Sequence, residues 1–278
     1  MSIEDAPLAT GEAAAEAPPA SLSSAPAAGH PWTPGMTLLW GVLLLGGYFI
    51  VQALAMTLAA VPAMIEAVRA GGAADPMRAL QERMGLLFTI GTTAAAPLTV
   101  AATLAIGWWG YSRQGIDERK GPLRRSLGLR RPRFLQIVLW TVVAAAVLAA
   151  YELLARLLDR PSLPDFMVEF HRTAGWLPGL LLVVVLVAPL VEELLFRGFL
   201  LPGLAAGRLG PTGAIVVTSL LFAAVHAQYD LFDMSAVLAL GLLLGAARWF
   251  SGSLWLAYGL HAAVNALAAA QLVWALGW

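Results

Sequence analysis

Seven stretches of this chain, each 17 to 29 residues long, are apolar enough to enter a lipid core: 36–60, 85–108, 134–157, 178–206, 211–228, 234–250 and 253–276. A hydrocarbon core about 30 Å thick is crossed by about 20 helical residues, and every backbone N–H and C=O inside it must be paired within the protein. None of the stretches alternates polar and apolar residues as a barrel strand would, so helices are the spanning elements. The expected fold is therefore all-α, a polytopic transmembrane helical bundle of about seven helices. Segment 62–84 carries Glu66, Arg69, Asp75, Arg78, Glu82 and Arg83 and is expected to lie at the interface; an eighth helix results only if it crosses. With 59% hydrophobic and 12% charged residues, the chain has more apolar surface than a soluble domain can bury.

Charge is distributed in a way that orients the bundle. Residues 1–35 are rich in Ala, Pro and Ser, hold four acids and no Lys or Arg, and are expected to form a disordered tail. Residues 36–174 follow as the N-terminal membrane helices, interrupted by loop 109–133 with seven arginines and one lysine. The excess of positive charge makes that loop cytoplasmic, puts the N-terminus on the same side, and fits an integral protein of a bacterial inner membrane. Net charge is zero, so nothing points to nucleic acid, and the lipid bilayer is the one environment composition demands. With no cysteine, disulfides, thiolate ligands and cysteine nucleophiles are all excluded.

Ionisable residues inside the proposed spans need partners, because each costs roughly 2.5 to 3.5 kcal/mol near the bilayer centre. Glu152 and Arg156 stand one turn apart near a helix end and read as an interfacial ion pair; Arg248, beside Trp249, reads as an anchor. Glu193 and Arg197 are spaced i, i+4 in the favourable order and can neutralise each other. Glu192 projects about 100 degrees away and is left without a helical partner. His30 falls in the tail and His171 in an outer loop, so neither is a candidate.

Depth brings further polar groups to the level of these acids. A turn at 207–211 joins two spans as a hairpin, and both Glu193 and His226 lie about 25 Å of helix from it. His261 and Asn265, one turn apart, begin about 13 Å from the turn near Gly252. A carboxylate in low dielectric suits a general base that takes a proton from water. His226 can hold the same water, and His261 with Asn265 can stabilise an oxyanion, which together describe amide hydrolysis. Glu192, His226 and His261 equally make a His, His, Glu ligand set for catalytic zinc, so zinc and metal-free versions both stand.

The motifs Glu192-Glu193-x-x-x-Arg197, Phe222-x-x-x-His226 and His261-x-x-x-Asn265 resemble those of the CPBP (CAAX protease and bacteriocin-processing, Abi) intramembrane proteases, relatives of the type II CAAX prenyl endopeptidase. The resemblance covers about residues 175 to 270 and makes 175–276 the catalytic core. It implies a membrane-embedded endopeptidase acting on a membrane-associated protein or peptide. Carried across, Glu192 and His226 activate water, His261 and Asn265 hold the oxyanion, and Glu193, Arg197 and Phe222 support them. The family is commonly labelled a metalloprotease, although a metal-free glutamate mechanism is also proposed for it. The contrasting expectation is a non-catalytic membrane protein, of bacteriocin-immunity or scaffold type, that keeps the polar cluster for binding. A transporter would be expected to show broken helices and internal repeats, and the sequence shows neither.

Overall fold

The computed structural model describes residues 30–69, 75–117, 119, 121–161 and 163–277. Ten helices are found among them: α1 (Pro34–Arg69), α2 (Pro76–Gln81), α3 (Met84–Arg113), α4 (Pro122–Leu127), α5 (Phe134–Leu157), α6 (Asp165–Arg172), α7 (Leu177–Ala205), α8 (Gly210–Ala224), α9 (Leu231–Ser251) and α10 (Leu254–Leu276). No strand is present among the described residues. By length and composition, α1, α3, α5, α7, α9 and α10 can each cross a membrane, and α8 is a shorter apolar helix of 15 residues. The expected polytopic helical bundle is borne out, and the protein is an integral membrane protein.

Segment 62–84 adds no further crossing among the described residues. Its first residues extend α1 to Arg69, a helix of 36 residues. Residues 70–74 lie outside the described residues, and the short α2 follows, capped by Asp75, which accepts from the Met77 N–H at 2.9 Å. Residues 1–29 of the expected tail also lie outside the described residues. Its last residues are packed: Trp32 is buried against Leu44, Phe196 and Phe199, and the His30 ring meets Phe199 edge-on.

The bundle is organised around α7. Of its most apolar window 56% is buried, against 11% for α1 and 6% for α5, whose apolar faces are left for lipid. The α1 and α3 helices pack as a pair, tied at depth by Gln52, whose Nε2 donates to Thr92 Oγ1 at 2.8 Å. On the other side α5, α9 and α10 share a cluster around Leu243, Leu244, Ala257 and Leu260.

Two departures from α-helical register mark α7. Residues Val183–Val187 and Leu194–Leu200 are π-helical, and a proline stands two residues beyond each stretch, Pro189 and Pro202. A proline inside an α-helix removes an N–H and drives its ring against the carbonyl four residues back; the wider π turn moves that carbonyl aside. Glu192 and Glu193 lie between the two widened stretches.

Candidate active site

The buried pair expected from spacing is present. Arg197 donates to Glu193 Oε1 at 2.9 Å, and both side chains are wholly inaccessible. A second guanidinium nitrogen donates to the Gly241 carbonyl at 3.1 Å, which ties α7 to α9. His261, on α10, places Nδ1 2.9 Å from the same Glu193 oxygen. Two cationic or polar donors therefore converge on one carboxylate oxygen, the arrangement that makes a charge tolerable so deep in apolar surroundings.

Glu192 differs from its neighbour. Its side chain keeps 27% exposure and lines a cavity of about 200 Å³, large enough for several waters or one side chain. Its Oε2 lies 3.7 Å from His261 Nε2, so the imidazole stands between the two glutamates. The division predicted from the helical wheel, one acid sealed and one facing a cavity, is what the geometry has.

His226 reaches the cavity from just beyond the end of α8. The span read as 211–228 stops at Ala224, because the chain turns there, with the His226 N–H on the Ala223 carbonyl. The ring caps the helix end: Nδ1 is 2.8 Å from the Phe222 carbonyl and must donate to it, and the residue borders the cavity. Asn265 lines the same cavity, and its Nδ2 donates to the Val184 carbonyl at 2.8 Å. That carbonyl is available for a reason in α7. In the π register, where the Ala188 N–H reaches Val183, the partner of Val184 would be residue 189, a proline without an N–H. One amide hydrogen of Asn265 is spent there, and one remains.

Phe222 ties these parts together. Its ring lies 4.8 Å from that of His226 and 5.7 Å from that of His261, and the Arg197 guanidinium sits over it at 4.4 Å. It is a shared wall between the sealed ion pair and the cavity, with the cation held against its face.

The structure also adds a residue that sequence reasoning set aside. His171 is not in an outer loop; it is buried on α6 and lines the same cavity. Its Nδ1 is 2.8 Å from the Met167 carbonyl, its Nε2 is buried without a hydrogen-bond partner among the described residues, and burial pushes the imidazole below the ordinary histidine range. The available signal was the short pattern "DFMVEFHR", apolar on one face and charged on the other, which makes α6 an amphipathic cover with Phe166 and Phe170 turned to the cavity. Tyr229, stacked on His226 at 6.2 Å, was likewise missed.

Among the described residues no three His, Asp or Glu side chains gather as a metal-binding group. Glu192, His226 and His261 all border the cavity, but among the described residues the three do not gather closely enough to hold one ion. The zinc ligand set does not fit this arrangement, and "metalloprotease" finds no support in it.

Residues 174–267 match the family described as Type II CAAX prenyl endopeptidase Rce1-like, and the three motifs all lie within that match. Over 121 residues the chain is 37% identical to an Escherichia coli protein described as an uncharacterized 24.3 kDa protein; the similarity covers 42% of this chain and 50% of that one. The chain thus spans about half the length of the curated relative it matches. No solved structure matches the chain.

Proposed function

We propose, from the match of residues 174–267 to the Rce1-like CAAX protease family, that the protein is an intramembrane endopeptidase that hydrolyses a peptide bond in a membrane-associated protein or peptide. The observation that carries this reading is the contrast between adjacent glutamates: Glu193 is sealed by Arg197 and His261, while Glu192 opens onto a cavity shared with His226, His261 and Asn265.

In this mechanism a water sits between the Glu192 carboxylate and His226. His226, with its Nδ1–H held by the Phe222 carbonyl, accepts one water hydrogen at Nε2, and Glu192 takes the other as the oxygen attacks the scissile carbonyl carbon. The C–O bond forms and the carbonyl π electrons move to oxygen. Asn265 donates its remaining amide hydrogen to that oxyanion, and His261 donates from Nε2 when the ring is doubly protonated. Glu192 then passes its proton to the departing amine as the C–N bond breaks. No step is routed through a metal.

A non-catalytic scaffold would have use for the Glu193–Arg197–His261 cluster but none for a carboxylate held facing a cavity beside an imidazole lone pair. The positive charge of loop 109–133 supports a cytoplasmic placement for that loop and for the N-terminus, in a bacterial inner membrane. The test is comparative proteomics of membranes from wild-type and Glu192→Ala cells, followed by incubation of the purified proteins with the candidate peptide. A precursor that accumulates in the mutant and is cut only by the wild-type protein is expected. Equal cleavage by Glu192→Ala protein would remove this reading.

A further inference from the structure

At the end of α9 far from the cavity, the chain joining α4 to α5 is fastened to the turn between α9 and α10. Arg248 donates to the Ser126 carbonyl at 2.9 Å, the Leu254 N–H to the Gly128 carbonyl at 2.8 Å, and Ser253 Oγ to the Arg130 carbonyl at 2.6 Å. Arg130 in turn donates to the Ser251 carbonyl. Gly128 and Gly252 are both left-handed, with φ of +72° and +67°, and each has a guanidinium where a side chain would begin: Arg248 against Gly128, Arg130 against Gly252. The two turns clasp each other reciprocally, so Arg248 is a buried tie and not the membrane anchor its position beside Trp249 suggested.

The residues just past this clasp therefore project from a fixed backbone. Between it and the first turn of α5 lies a cavity of about 350 Å³ lined by Arg130, Arg131, Arg133, Gln136, Phe250 and Ser251. No carboxylate lines it. Arg130 has a donor engaged with the Ser251 carbonyl but keeps its charge, so the guanidinium groups of Arg130, Arg131 and Arg133 together set the charge of the cavity. Gln136 accepts the Arg133 backbone N–H at Oε1, 3.0 Å, so its amide nitrogen remains as a neutral donor. The surroundings are apolar and open: Phe250 is 58% exposed, and Phe134 and Leu135 at the start of α5 are 76% and 78% exposed.

We propose that this cavity binds the phosphate of an anionic phospholipid, with Arg131, Arg133 and the Gln136 amide donating to its oxygens. Concentrated guanidinium charge directly beside exposed aromatic and aliphatic side chains is the pattern of the headgroup level of a membrane. A phosphodiester takes the donors, and its acyl chains lie along Phe134, Leu135 and Phe250. A free phosphate ion would use the donors and leave that apolar rim bare, which favours the lipid as the source. This inference stands independently of the proposed protease activity.

The test uses the full chain purified in neutral detergent, with lipid adducts read by native mass spectrometry and stability by thermal denaturation. Phosphatidylglycerol is expected to bind more tightly and to raise the unfolding temperature more than phosphatidylcholine, whose quaternary ammonium opposes the arginine charge, and inorganic phosphate to do neither. R131Q/R133Q should weaken phosphatidylglycerol binding about 30-fold, from roughly 1 kcal/mol per basic residue near an anionic headgroup. R113Q/R119Q, in the same basic segment but outside the cavity, should retain it. Unchanged binding by R131Q/R133Q, an equal response to phosphatidylcholine, or an equal response to inorganic phosphate would each overturn the proposal. If the double variant is not recovered folded, R133Q alone must show about a five-fold loss, and no loss overturns it.

Discussion

His261 reaches across 68 residues of sequence to place its Nδ1 2.9 Å from Glu193 Oε1, the very oxygen that also receives Arg197. A carboxylate with no exposure of its own thereby fixes the tilt and the protonated nitrogen of an imidazole whose other nitrogen faces the cavity. The chemistry assigned to Glu192, His226, His261 and Asn265 depends on that support.

Glu192→Gln should abolish peptide cleavage, with a loss of at least about 10² to 10⁴ in kcat, the range of a removed general base. Because the Glu192 side chain is partly exposed and outside the sealed cluster, the unfolding temperature in detergent should hardly change. Activity and denaturation measured on one preparation check both halves, and a folded, active Glu192→Gln protein would reject the assignment.

Arg197→Met should act on stability first. It leaves Glu193 charged and buried with only His261 beside it, at a cost of about 3 to 5 kcal/mol. Glu193→Gln combined with Arg197→Met removes both charges and should recover much of the unfolding temperature while staying inactive, since His261 loses its anionic partner. Denaturant titrations of the two variants beside the wild type distinguish this from simple loss of packing against Phe222.

Asn265→Ala should lower kcat by about 10² to 10³ with little change in KM, as expected for a donor that acts on the developing oxyanion. The Val184 carbonyl also loses its side-chain donor, so the thermal midpoint should fall slightly. A rise in KM at constant kcat would mean that Asn265 binds substrate instead.

Acid should weaken the N-terminal anchoring. Burial holds the His30 imidazole down at about 4. The folded protein thus keeps His30 neutral while the unfolded chain, near 6.5, takes up a proton, so stability is full above about 6.5 and is lost as pH falls toward about 4. His30→Gln should flatten that part of the stability profile measured between these limits.

Cleavage should survive chelation. Since the three expected ligands do not gather on one point among the described residues, protein treated with a strong chelator should retain its activity. Loss of turnover restored by about one equivalent of zinc would reverse this conclusion.

Much of this site was legible in spacing because helices convert sequence intervals into directions. The i, i+4 interval of Glu193 and Arg197 gave their pairing, and adjacency sent Glu192 elsewhere. Equal lengths about one turn brought His226 to the level of the acids, even though α8 ends two residues before it. What escaped was whatever depends on contact between distant segments. His171 reads as a loop residue until α6 folds over the cavity, and Arg248 reads as an interfacial anchor until Gly128 makes room for it. The link from Pro189 to Asn265 passes through a carbonyl, Val184, that no side-chain pattern announces.

The brevity of α8 has a consequence for the surrounding lipid. Fifteen residues rise about 22 Å, well short of a hydrocarbon layer about 30 Å thick, whereas α9, packed against it, has 21. A bilayer meeting such a step thins locally, at a cost of fractions of a kcal/mol per Å of mismatch. Such thinning would fall where α8 gives way to the turn holding His226, next to the cavity. For the proposed hydrolysis, a dip in the lipid would bring the bulk phase to the edge of the cavity without a long channel.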